Sequence, residues 1–299
     1  MIHANASVLD GSLYFTVSFF MVALSLAGYF IYLFKAGKKI AKASFVILVL
    51  AFAAETFAFA ARWSYSFKIG ISVPPLTDLY DSLVFLSYVI LLGFILLRLF
   101  YDLDALGFIA TLLAASALYF ASFFPDTASS VMEQPSPVLR SYWLLYHIIT
   151  LFMAYGAFAC ASGLGILFLF KYKEENNRSE KGGSFLRLVP PTDILDEIIY
   201  KTVIFGFVFL SAGILIGCVW ADSAWGGYWS WDPKETWSLI TWLVYALFMH
   251  ARITKGWTSK KMAWVAVAGF IIVIVCYLGV DLLMPGLHSY ATPGSNPAI

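Results

Sequence analysis

Charge is scarce in this 299-residue chain: 12% of residues are Asp, Glu, Lys or Arg, against 61% hydrophobic ones, and mean hydropathy is +0.81. Too few polar side chains remain to cover a water-soluble globule of this length, so an all-α integral membrane protein is expected, with membrane lipid as its surroundings. A net charge of +1 supplies no overall basic field, which argues against nucleic acid as a partner. Cysteine is sparse as well. Cys160, Cys218 and Cys276 stand singly in apolar runs, with no C-x-x-C pair and no metal-ligand spacing, and read as small core residues rather than a thiol–disulfide exchanger. The N-terminal MIHANASVLDGS lacks a basic n-region, and the first apolar run ends in lysines without a small-residue cleavage site. That run therefore reads as a retained membrane helix and not a signal peptide.

What the chain has in abundance is long apolar runs. Eight segments reach the roughly 20 residues a spanning helix needs: about 12–34, 44–62, 82–100, 105–124, 141–170, 202–220, 237–253 and 262–283. Alternating these spans puts 15 lysines and arginines on one side and only Arg62, Lys68, Arg140 and Lys234 on the other. Positive charge is retained on the cytoplasmic side, so both termini are expected outside. A polar stretch, KYKEENNRSEKGGS, suggests a division into a five-helix part (1–173), a cytoplasmic linker (174–191) and a C-terminal part (192–299). The last part opens with VPPTDILDEIIYK, where Thr192 is a cap candidate. Ile194, Leu195, Ile198 and Ile199 share one helical face there, as in a short interfacial helix leading into segment six. Glu55, well inside segment two, reads as a neutral carboxyl hydrogen-bonded to a neighbouring helix.

Tryptophan is concentrated where segments six and seven meet: Trp220, Trp225, Trp229, Trp231 and Trp237 belong to WADSAWGGYWSWDPKETW. An aromatic belt at a membrane boundary is the simplest account. A belt, however, needs neither fixed spacing nor glycines, and Gly226–Gly227 lets the backbone turn and approach something closely. A flat apolar ring system stacked here would gain contact area. Its anionic side groups would meet Lys234 and the N–H groups that open segment seven. Asp232, Pro233 and Glu235 form a helix start, with Asp232 as the cap and Glu235 at the capping-box position.

There are only four histidines. His3 lies in the N-terminal tail. His147 precedes Lys171 by 24 residues, about 36 Å of helix, which places it at the outer boundary. His288 follows segment eight by five residues, beyond Pro285–Gly286, on the same side. Each alone is compatible with an ordinary interfacial histidine. Together, beside a tryptophan-rich surface, they match the two axial ligands of a planar metallocofactor; a tetrahedral zinc would want further ligands that are not in evident spacing. His250, 17 residues into segment seven, falls about 25 Å away near the inner boundary and cannot share that metal.

The run WADSAWGGYWSWDPKETWSLITWLVYALFMH, followed by LHSY, resembles the WWD-motif haem-handling proteins, and more narrowly the CcsA (ResC) family of System II cytochrome c maturation. The resemblance is strongest from about 195 to 290 and reaches PPLTDLYDSLVF and His147, with Asp81 standing where the family pattern leads one to expect glutamate. It implies haem b as cargo, held by His147 and His288, with Trp225, Gly226, Gly227, Trp229, Trp231 and Lys234 forming its floor. It further implies a second, transmembrane haem site at His250, completed by a CcsB/ResB-type partner. The function implied is presentation of haem for thioether attachment to apocytochrome c, within a cytochrome c haem lyase of the bacterial cytoplasmic or plastid thylakoid membrane. A haem transporter without attachment activity would use the same ligands.

Overall fold

The structure, a computed structural model, describes residues 11–71, 76–123, 132, 135–176 and 186–284. Among them are eight long helices and no strand: α1 Ser12–Lys35, α2 Lys38–Lys68, α3 Leu79–Tyr101, α4 Leu106–Phe123, α5 Tyr142–Asn176, α6 Thr192–Trp225, α7 Pro233–Lys255 and α8 Lys260–Leu283. Seven are long and apolar enough to cross a membrane; α7 has the length, at 23 residues, but is the least apolar. The chain is therefore a multi-span helical membrane protein, with Phe20, Leu24, Phe100 and Leu215 among many large apolar side chains left on its outside.

Lipid offers no hydrophobic drive for helix association, so small residues and hydrogen bonds do that work. On α1, Phe15, Ser18, Val22, Ser25 and Tyr29 recur at helical spacing and are all fully buried. They meet Ser44, Leu48, Ala51, Glu55 and Ala58 of α2. Ser25 donates to the Ser44 carbonyl at 2.8 Å. Glu55 Oε1 accepts from Ser18 of α1 at 3.0 Å and from Ser87 of α3 at 3.1 Å, so the carboxyl joins three helices. Arg62, three to four residues per turn further along the same face, is also fully buried. It pairs with Asp81 at the start of α3, Nε to Oδ1 at 2.5 Å, and its guanidinium lies over the Tyr80 ring.

The axle of the molecule is α5, whose run AYGAFACASGLG is buried on nearly every side. A Cβ on Gly156 would stand 2.8 Å from the Val89 carbonyl oxygen of α3, and one on Gly165 would stand 2.9 Å from the Ala263 carbonyl oxygen of α8. Only glycine lets these backbones come so close.

Two expectations about the start of α6 change. Thr192 is the first helical residue, not the cap, and its hydroxyl donates to Glu175 of α5 at 2.7 Å. The stretch after Thr192 is not a helix of its own: α6 is one unbroken helix of 34 residues, about 50 Å long. Leu195, Ile198 and Ile199 are buried in the protein core while Ile194 is exposed. At that same end Asp196 accepts from Arg252 of α7 at 2.6 Å and from the Ser259 N–H at 2.9 Å, tying α6, α7 and α8 together.

Candidate functional site

The tryptophan loop, residues 226–232, is shaped by a few local devices. Gly226 takes a left-handed φ of +76° and its N–H returns to the Asp222 carbonyl at 2.9 Å, which ends α6. Asp232 caps α7 as expected, accepting the Lys234 N–H at 2.9 Å, with Pro233 at the first position. Glu235 does not close a box on Asp232. Its Oε2 reaches past the cap to the Ser230 N–H at 2.7 Å and the Ser230 hydroxyl at 3.1 Å, fastening the loop to the first turn of α7.

Against this loop lies a cleft of about 1060 Å³, its open mouth included, between the ends of α3, α5, α6, α7 and α8. Its walls are largely aromatic and aliphatic, with Phe152, Tyr155, Trp220, Trp229 and Tyr277 among them. Trp220 is 1% exposed; its Nε1–H donates to the Val138 carbonyl at 3.3 Å and its ring meets Trp225 edge-on at 4.7 Å. α8 contributes through a π-helical turn, Val275–Gly279, from which Cys276 and Tyr277 line the cleft. Such turns shift register locally and are frequent at functional sites. The Tyr277 hydroxyl is 2.7 Å from Ser82 Oγ of α3.

His147, in the second turn of α5, faces this cleft. Its Nδ1 lies 2.7 Å from the Gly213 carbonyl of α6, and its ring stacks near Trp220 at 6.4 Å and 19°. A carbonyl can only accept, so Nδ1 carries the proton, and in the neutral ring Nε2 then holds the lone pair that a metal ligand requires. The second supporting element is Gly217: a Cβ there would stand 2.5 Å from His147 Cε1 and Nδ1. Helix α6 thus leaves a notch, one turn long, in which the imidazole is seated.

Lys234 is the only lysine or arginine among the described residues that line the cleft. It is not waiting for a ligand alone, since its Nζ is 2.5 Å from both Oδ1 and Oδ2 of Asp281, on the last turn of α8. Asp78 also lines the cleft, and it caps α3 by accepting the Asp81 N–H at 2.7 Å. Burial, reinforced by the negative charge of Asp81, pushes the Asp78 carboxyl well above the usual carboxylate range.

Of the residues singled out from sequence, His147, Trp229 and Lys234 line this cleft. Trp225 packs behind it on Trp220, Gly226 and Gly227 make the turn, and Trp231 is 69% exposed with its ring edge-on to Trp229 at 5.8 Å. His250 does not line the cleft; it is exposed near the opposite end of α7, beside Thr254. His288 and His3 lie outside the described residues. Among the described residues no three His, Cys, Asp or Glu side chains converge on a metal position. Cys160 and Cys276 are buried and Cys218 half-buried, all as free thiols, and the last two line the cleft.

Sequence reasoning missed Gly213, Gly217 and Asp281. The spacing GILIG, two glycines four apart in an apolar helix, could have indicated a close approach on α6. Asp281 stands 47 residues from Lys234, so nothing local connects them.

Fold and cleft together define a polytopic helical membrane protein with a histidine-bearing aromatic cleft at one end. A family model described as Cytochrome C assembly protein matches residues 76–288, and the chain belongs to that family. The CcsA protein of Guillardia theta is 37% identical over 291 residues, covering 92% of this chain and 94% of that protein. CcsA of Prochlorococcus marinus (strain AS9601) is 38% identical, covering 85% and 86%. CcsA of Chlamydomonas reinhardtii is 41% identical over 219 residues, 72% of this chain, which spans 60% of that longer protein. Among solved structures, the cytochrome c haem lyase CcmF superposes with a TM-score of 0.64 over 95% of this chain and 49% of its own length, at 17% identity, a likeness of fold.

Proposed function

We propose that this chain is the haem-handling subunit of a System II cytochrome c synthase, binding haem in the cleft against the tryptophan loop and presenting it on the extracytoplasmic face. The observation that carries this reading is the seating of His147. A ring fixed by a backbone carbonyl, in the wall of a largely aromatic and aliphatic cleft whose described lining includes one cationic side chain, is the support an axial ligand needs. His288, seven residues after Asp281, supplies the opposite ligand in this proposal. Trp229 gives contact area to the macrocycle and Lys234 meets its carboxylates, while Glu235 and Gly226 hold the loop in shape.

Attachment adds each apocytochrome thiol across a vinyl double bond, sulfur to one carbon and hydrogen to the other, with no net change in electron count. The chain's task is then to bind, orient and shield the cargo while the thiols do the chemistry. The exposed position of His250 at the far end of α7 suits a second haem site completed by a CcsB/ResB-type partner.

The test is the absorption spectrum of the detergent-purified complex. His147→Ala and His288→Ala should each lose the bis-histidine spectrum and regain a six-coordinate one with added imidazole, and His250→Ala should lower haem loading without changing that ligand set. Unchanged spectra in the first two variants would sink the assignment.

A further inference from the structure

The ion pair between Lys234 and Asp281 has no part in the reading above, yet it sits inside the cleft wall. Both side chains line the cleft, with the lysine side chain 26% exposed and the aspartate 7%. Two of the ammonium's three N–H bonds are directed at the two carboxylate oxygens, each 2.5 Å away. An ammonium has three donors, so one remains for a ligand.

The neighbouring carboxylates have other tasks. Glu235 is engaged by Ser230, and Asp78 by the Asp81 N–H. Among the described residues that line the cleft, Asp281 is the carboxylate paired with Lys234. It also stands on a different helix from Lys234, on the last turn of α8 just beyond the π-helical turn.

We infer that Asp281 is a positioning residue that holds Lys234 toward the cleft while cancelling most of its charge, so that a carboxylate-bearing ligand is gripped weakly enough to be handed on. A lysine facing the cleft without a counter-ion would bind an anionic group tightly and retain it. With Asp281 beside it, the incoming carboxylate shares the ammonium with a resident one and feels the repulsion between the two. Specificity for a carboxylate survives, because Lys234 still donates to it; retention does not. The inference rests on the haem-binding reading and adds to it the device that makes binding reversible.

The experiment compares haem with its dimethyl ester, which lacks both negative charges, on the purified full chain with its partner. Wild-type protein should bind haem more tightly than the ester. Asp281→Asn, which keeps the shape and removes the charge, should tighten haem binding about tenfold and slow its release, leaving ester affinity within about twofold of wild type. Lys234→Gln together with Asp281→Asn should abolish discrimination between the two probes. Equal affinity of the wild type for haem and ester overturns the inference without any variant, so it stays testable even where a substitution prevents folding. It is likewise overturned if Asp281→Asn weakens haem, or tightens haem and ester alike. Wild-type protein that binds neither probe overturns the haem reading itself, a result distinct from all of these.

Discussion

At the scale of single residues, the seat of His147 is the feature with the sharpest consequence. Gly217 has no backbone reason to be glycine, since it lies within α6 at ordinary helical geometry. Its reason is the imidazole, 2.5 Å from where a Cβ would stand. Gly217→Ala is expected to leave the protein inserted and folded but to push the ring off the Gly213 carbonyl. Overpacking of this kind costs about 1–3 kcal/mol, drawn here from the histidine's orientation as well as from stability. A shifted haem spectrum with weakened binding would be the signature, and a spectrum identical to wild type would show that the notch is not tuned to the ring. The sequence alone supported His147 as a candidate through its distance from Lys171, yet the carbonyl that orients it was invisible, because it belongs to another helix 66 residues away.

Among whole elements, start and stop features were the most legible. The cap at Asp232, the Pro233 first turn and the glycine ending of α6 all follow from chemistry confined to a few neighbouring residues. Where a side chain had a choice of partners, local reasoning fell short: Glu235 left the capping box for Ser230, and Thr192 left its cap for Glu175. Helix α3 offers a test at this scale through its cap, Asp78. With its folded pKa above the ordinary value near 4, the native state binds a proton that the unfolded chain has already lost. Stability from this group is therefore present at low pH and declines as pH rises through the folded value. Asp78→Asn keeps the cap oxygen and removes the titration. Its melting temperature should fall less than wild type's as pH rises above about 4; parallel slopes would exclude Asp78 as the source.

For the molecule as a whole, apolar periodicity and length foretold nearly every helix, because in lipid the spanning requirement imposes itself on each segment separately. How the helices are arranged around α5 was not foretold, since that depends on which small residues face which neighbour. The run AYGAFACASGLG could have marked the central helix, as a segment presenting small side chains on every face is buried rather than lipid-facing. Gly156→Val drives a side chain against the Val89 carbonyl, which is backbone and cannot rotate away. The expected result is α3 forced from α5, a loss of roughly 1–3 kcal/mol on unfolding in detergent, and a cleft that no longer closes around its ligand. A variant with wild-type melting behaviour would show that the bundle tolerates their separation.

The hydrogen bond from His147 to Gly213 has an electrochemical consequence. Donating its Nδ1 proton to a carbonyl makes an imidazole a stronger electron donor through its other nitrogen, and a stronger donor favours ferric over ferrous iron. Were iron held by His147 as proposed, part of its reduction potential would be set by the main chain of α6. A carbonyl has no side chain to exchange, so that contribution persists through any substitution at Gly213 that keeps the helix in place.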